Sequence, residues 1–218
     1  MWTCVMHVCA MKISAFASTL MIGLILTNVP ADSSMAWAKT IETSSQIGRL
    51  NYAGYKQRGH CTVSLIGKHT ALTARHCIDS FPIDAAKIVL GYDRGEWEEL
   101  HTISKAWRHP KKDIALLCLA KPSNITPLRL MDQRLGSKLL QAKVQGYRYR
   151  RPHLQSTLQC VAQKIGGSIR MECPVEPGMS GSPVSLPNNR VAAVMSRTGA
   201  AFSIADSIDG IPVNYCRN

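Results

Sequence analysis

The sequence predicts an all-β fold in two lobes, on three observations. Short apolar or alternating runs recur at even spacing, turn signals stand between them, and a polar, turn-rich segment over 121–136 interrupts the pattern. Evenly spaced short strands build barrels or sandwiches. The runs fall at Cys61–Ile66, Thr70–Ala74, Lys87–Tyr92, Ile114–Leu119, Ala142–Gly146, Leu158–Ala162, Ile169–Cys173 and Arg190–Ser196. Asp93-Arg-Gly95, Gly166-Gly167 and Pro187-Asn-Asn189 between them supply the residues that tight turns need. One helical turn is expected, beginning near Ala74 and running through His76. The first lobe is placed at about 45–122 and the second at about 139–218, with 121–136 connecting them.

The amino end reads differently. Lys12 precedes an apolar run from Ile13 to Leu26, and small residues follow, ending in Ala36-Trp37-Ala38. This pattern is that of a secretory signal peptide over 1–38, cut after Ala38. The run falls short of the roughly 20 apolar residues that span a bilayer; a retained anchor is the alternative. Met11-Lys12 makes a better start than Met1, because 1–10 carry no positive side chain. Export to the periplasm or the outside is therefore expected. The remaining 39–218 suit one compact domain or two small lobes sharing a core.

The chain carries a net charge of +12, and loss of Lys12 and Asp32 with the leader leaves that balance unchanged. Such a charge favours anionic surfaces as partners, or simply gives solubility. The densest basic run, Arg148-Tyr-Arg-Arg151, has interleaved tyrosines but no accompanying nucleic-acid fold signature. No nucleic-acid partner is expected. Of eight cysteines, Cys4 and Cys9 leave with the leader. Cys61, Cys77, Cys118, Cys160, Cys173 and Cys216 remain, an even number behind an export signal, which argues for disulfides. None has the C-x-x-C spacing of a zinc site, and no metal or other cofactor is expected. His60, His69, His101, His109 and His153 lack convergent ligand spacing and read as surface or packing residues. Six cysteines allow 15 pairings.

Three segments carry the chemistry: Leu72-Thr-Ala-Arg-His76-Cys77, Asp113-Ile-Ala-Leu-Leu117 and Pro177-Gly-Met-Ser180-Gly-Ser-Pro183. His76 follows a strand and a tight turn. A bridge from Cys77 back to Cys61, sixteen residues upstream, would clamp that turn. Asp113 opens an apolar strand, from which a carboxylate can turn inward and accept from an imidazole N–H. The alternative for Asp113 is a surface pair with Lys111 or Lys112. Ser180 lies between Gly178 and Gly181, which permit a turn that exposes Oγ and lets backbone N–H groups converge. Those of Gly178 and Ser180 would form an oxyanion hole. Ser182 is a rival nucleophile, but the proline after it suits a chain already leaving the turn. A serine hydroxyl needs a base to take its proton, and base, carboxylate and nucleophile occur in the chain order His, Asp, Ser.

That order and those motifs resemble the chymotrypsin/trypsin-like serine proteases. The histidine bracketed by cysteine, the Asp-Ile-Ala-Leu-Leu strand and the Gly178-Met-Ser-Gly-Ser-Pro183 loop are each similar to the family's motifs. Pro127-Leu128 and Gly146-Tyr147 are weaker echoes. The resemblance covers roughly 45–209. It implies two six-stranded antiparallel β-barrels with the site in the cleft between them, and His76, Asp113 and Ser180 as the catalytic residues. The short chain looks most like the small secreted bacterial branch that includes glutamyl endopeptidases.

Departures limit what transfers. Met179 stands where the family has an aspartate that receives the new N-terminal ammonium of a cut zymogen, and a methionine cannot form that ion pair. Arg75 replaces a common alanine and is assigned no role. Pro174 stands where trypsin-type enzymes hold an aspartate, which argues against cleavage after Lys or Arg. Met195 stands where glutamate-specific relatives carry a histidine, and its thioether is a weak acceptor. Ser196 matches a serine that supports the triad aspartate. Pro174, Val175, Met195, Ser196 and Thr198 are the expected pocket residues. They form a mostly apolar or small pocket, into which Glu176 could project.

On this scaffold Cys160 and Cys173 flank a hairpin and are expected to pair, which leaves Cys118 with Cys216 as a pair or as two free thiols. The function implied is an exported monomeric serine endopeptidase acting on proteins or peptides. The alternatives are a catalytically silent cationic binding protein on the same fold and an esterase with the same triad.

Overall fold

The structure, a computed structural model, describes residues 43–52, 59–79, 82–132, 136–199 and 202–217. The expected signal peptide lies outside these. Among the described residues no helix is long and apolar enough to cross a membrane.

Six strands make the first barrel: β1 (Ile47–Tyr52), β2 (His60–Gly67), β3 (Thr70–Thr73), β4 (Ala86–Leu90), β5 (Glu99–Arg108) and β6 (Ala115–Leu119). They close in the order β1-β2-β3-β6-β5-β4, every pair antiparallel. Closure removes the unpaired edges that an open sheet would expose. β3 and β6 are buried along their whole length; the unbroken apolar run of β6 requires this, and in β3 two threonines flank the apolar Ala71-Leu72. Leu50, Val63, Leu65, Leu72, Ile88, Leu90, Leu116 and Leu117 are among the buried residues of its core cluster.

A short parallel strand, β7 (Arg129–Leu130), follows in the polar, turn-rich connecting segment. The second barrel is β8 (Leu139–Tyr147), β9 (Gln155–Ile165), β10 (Ser168–Glu172), β11 (Pro183–Ser185), β12 (Arg190–Thr198) and β13 (Ser203–Ser207). The ring runs β11-β8-β9-β10-β13-β12 and closes through β11 on β12, with β7 added parallel to β12. Val144, Ala162, Ile169, Met171, Met179, Val184 and Met195 are among its core residues.

Among the described residues the one α-helical turn, α1, spans His76–Asp79, and so begins two residues later than the sequence suggests. Three disulfides staple this frame. Cys61–Cys77 ties α1 to the start of β2, Cys160–Cys173 joins β9 to the end of the β10 hairpin, and Cys118–Cys216 fastens the carboxyl end to β6.

Candidate active site

His76 sits where β3 gives way to α1. Asp113 lies in the loop between β5 and β6. The two meet twice: His76 Nδ1 is 2.7 Å from Asp113 Oδ2, and the His76 backbone N–H donates to Asp113 Oδ1 at 2.8 Å. A carboxylate only accepts, so the contact puts the imidazole proton on Nδ1 and leaves the lone pair on Nε2. Ser196, on β12 of the other barrel, donates its hydroxyl to the same Oδ2 at 2.6 Å. The Asp113 backbone N–H in turn donates to Asp206 Oδ2 on β13 at 2.9 Å. Burial alone would raise the Asp113 carboxyl. The hydrogen bonds from the His76 side chain, Ser196 and the His76 backbone outweigh it and lower the pKa to about 2. The aspartate is thus a fixed anion shared by both barrels. Lys111 and Lys112 do not take it: Lys112 Nζ donates instead to the carbonyls of Ser207 and Asp209.

Ser180 stands on the turn that precedes β11. This turn is sewn to the first barrel through Thr62 on β2. Thr62 N–H donates to the Ser180 carbonyl at 2.8 Å, and Thr62 Oγ1 donates to the Gly178 carbonyl at 2.9 Å. The Thr62 carbonyl is itself held by Thr73 Oγ1 at 2.8 Å. Gly178 has φ +89° and Gly181 φ +86°, the left-handed region that side chains avoid. A Cβ on Gly178 would lie 2.6 Å from the Tyr147 carbonyl oxygen, and one on Gly181 would overlap the Thr62 carbonyl oxygen. Among the described residues the N–H groups of Gly178 and Ser180 have no acceptor, so both are free to donate outward. The Ser180 hydroxyl likewise has no hydrogen bond among the described residues, His76 included. Nucleophile–base contacts are often loose before substrate binds. The Ser180 carbonyl oxygen lies 3.9 Å from Cys77 Sγ, the neighbour of His76. Ser182, the rival nucleophile, is fully buried.

The five expected pocket residues do not share one environment. Ser196 is buried and committed to Asp113, Met195 and Val175 are buried in the second-barrel core, and Pro174 and Thr198 are exposed. Glu176 is ion-paired with Arg148. A ring nitrogen of His76 and the sulfurs of Cys61 and Cys77 lie within 4.8 Å of one another. Both sulfurs are spent in a disulfide, so this cluster is not a metal site. A cavity of about 920 Å³ bordered by Lys68, His69, Leu130 and Arg217 shares no residue with the His76, Asp113 and Ser180 cluster. Nothing in the local sequence marks Thr62 or Asp206, and Arg148 stood out only as part of a basic run, with no link to Glu176.

A family model described as Trypsin matches residues 37–201. Among solved structures, the VesB protease of Vibrio cholerae is similar with a TM-score of 0.66 at 18% identity, over 76% of this chain and 61% of that one. This chain therefore spans under two thirds of the length of VesB. Human heparin binding protein is similar with a TM-score of 0.65 at 18% identity, over 78% of this chain and 92% of that one. No curated protein matches the sequence. At such identity the structural likenesses show the fold alone, and the matched family model shows the family. The chain belongs to the trypsin family of chymotrypsin-like serine proteases.

Proposed function

We propose that the protein is an exported serine endopeptidase that cleaves protein or peptide substrates through an acyl-enzyme. The observation that supports this most is the chain of contacts from Ser196 through Asp113 to His76, set beside a serine whose turn offers two free N–H groups. In this reading His76 Nε2 takes the Ser180 proton as Oγ bonds to the scissile carbonyl carbon. The N–H groups of Gly178 and Ser180 receive the oxyanion. The imidazolium, steadied by Asp113, then protonates the leaving amine, and the acyl ester is hydrolysed by water with the same base.

A silent cationic binding protein is the second reading, favoured by the net charge of +12 and by the missing contact between Ser180 and His76. The two separate on turnover of a casein substrate. Ser180→Ala, His76→Ala and Asp113→Asn should each lower it by several orders of magnitude while leaving the fold intact, because a triad fails as a unit. A wild-type protein without turnover, or a Ser180→Ala protein with full turnover, would contradict the proposal.

A further inference from the structure

We propose that Arg148 is a positioning residue for the oxyanion turn, its guanidinium paired with Glu176 acting as a charged lock supplied from within the chain. The inference rests on the reading of Ser180 as nucleophile and of the Gly178 and Ser180 N–H groups as its oxyanion donors. The turn begins at Glu176, whose carbonyl accepts from Met179 N–H at 3.1 Å. Whatever fixes Glu176 therefore fixes the path of the chain through Gly178 to Ser180. Besides the Thr62 N–H bond to the Ser180 carbonyl at its far end, three anchors hold that path. Tyr149 N–H donates to the Pro177 carbonyl at 2.7 Å, Thr62 Oγ1 donates to the Gly178 carbonyl at 2.9 Å, and Arg148 Nη2 pairs with Glu176 Oε1. Two of the three leave from adjacent residues just past β8, and the Arg148 contact alone is ionic.

The pair is shielded. Its side chains are 23% and 22% exposed, so removing one partner leaves the other charge partly desolvated and the turn free to move. Met179, directly before the nucleophile, is fully buried among Val175, Met171 and Met195 and has no charge to offer. Arg148 Nε and Glu176 Oε2 make no hydrogen bond, so the contact is a single point rather than a two-pronged fork. A lysine can reproduce a single-point contact, although it could not replace a forked one.

The test uses the full chain as wild type, Arg148→Ala, Arg148→Lys, Glu176→Gln and the double variant Arg148→Ala/Glu176→Gln. Thermal melting confirms that each variant folds. The readouts are kcat and KM for p-nitrophenyl acetate and the rate of fluorophosphonate labelling at Ser180. Arg148→Ala and Glu176→Gln should each lower kcat and labelling rate about tenfold or more, with KM within about twofold, because an oxyanion donor acts on the transition state. The double variant should lose no more than either single one, since both remove the same contact. Arg148→Lys should keep most of the rate. Full activity in a folded Arg148→Ala or Glu176→Gln protein, or losses that simply multiply in the double variant, would overturn the inference. A wild-type protein that neither labels nor turns over would overturn the reading of Ser180 itself, and this inference with it.

Discussion

Ser196 Oγ and His76 Nδ1 converge on a single oxygen, Oδ2 of Asp113, at 2.6 and 2.7 Å. Two donors from different barrels on one carboxylate oxygen make the orientation of His76 depend on how the barrels meet. Ser196→Ala should therefore leave a folded protein whose kcat/KM falls roughly ten- to a hundredfold, the cost of one hydrogen bond to a charged group. Asp113→Asn should cost far more, about four orders of magnitude, because the amide can donate to the ring and favour the wrong tautomer. Steady-state kinetics on one substrate ranks the two. An equal loss in both would contradict the shared-oxygen arrangement.

Acid should reveal the same carboxylate. Asp113 is held at about 2 in the fold, against an ordinary value of 3.8. The unfolded chain then binds a proton at a pH where the folded chain does not. The contribution of this group is complete above about pH 4 and is lost as pH falls towards about 2. Denaturant midpoints for wild type and Asp113→Asn, measured in steps from about pH 5 to about pH 2, should converge at the acid end. A gap that stays constant to about pH 2 would show that the depressed carboxyl is not Asp113.

Much of this was legible in the sequence because the signals are local. Cys61 to Cys77, the Asp-Ile-Ala-Leu-Leu run and the glycines around Ser180 each announce a turn or strand within a few residues. The runs that seeded β2, β3, β4, β6, β8, β9, β10 and β12 are apolar or alternate clearly. β1 and β13 were missed because they bury polar side chains, Arg49, Asn51, Ser203, Asp206 and Ser207 among them, which breaks the apolar pattern. β5 was missed because charged side chains interrupt its alternation. Thr62 on Ser180 and Asp206 on Asp113 are contacts between residues about a hundred positions apart, and no local pattern encodes such a pairing. The expected pocket residues differ in burial, which the sequence alone did not show. Exposed Thr198 and buried Ser196 and Met195 share β12, with a register irregularity between Met195 and Arg197, and Ser196 donates to Asp113.

The turn that carries Ser180 should tolerate no side chain at Gly181. Its φ of +86° and the Thr62 carbonyl beside it impose both backbone strain and overlap. Gly181→Ala should destabilise the protein by about 2–5 kcal/mol, read from urea unfolding. A loss under about 0.5 kcal/mol, the range of an ordinary surface change, would show that the turn is free to relax.

The disulfides should differ in worth. The Cys61–Cys77 bridge closes a separation of 16 residues and Cys118–Cys216 one of 98. Chain entropy makes these worth about 3 and about 4.7 kcal/mol. The double variant Cys118→Ser/Cys216→Ser should therefore melt below Cys61→Ser/Cys77→Ser. The shorter bridge should matter more for activity, because it holds the turn that carries His76. Reversal of the activity order would contradict its role as the clamp on that histidine.

An N-terminal charge should be dispensable. Fully buried Met179 offers it no partner, and Glu176 is already paired. Inserting two residues between Ala38 and Lys39 should leave kcat unchanged within about twofold. Loss of turnover on insertion would mean that the amino end enters the fold after all.

The central claim is that Ser180 is an activated nucleophile, and the most direct measurement is the site of fluorophosphonate attachment. A fluorophosphonate probe reacts with a serine whose proton a neighbouring base removes. Intact-mass analysis followed by peptide mapping should find one adduct per chain on Ser180, absent from Ser180→Ala and strongly slowed in His76→Ala. A folded wild-type protein that takes up no probe, or one that carries it on Ser182, would contradict the account.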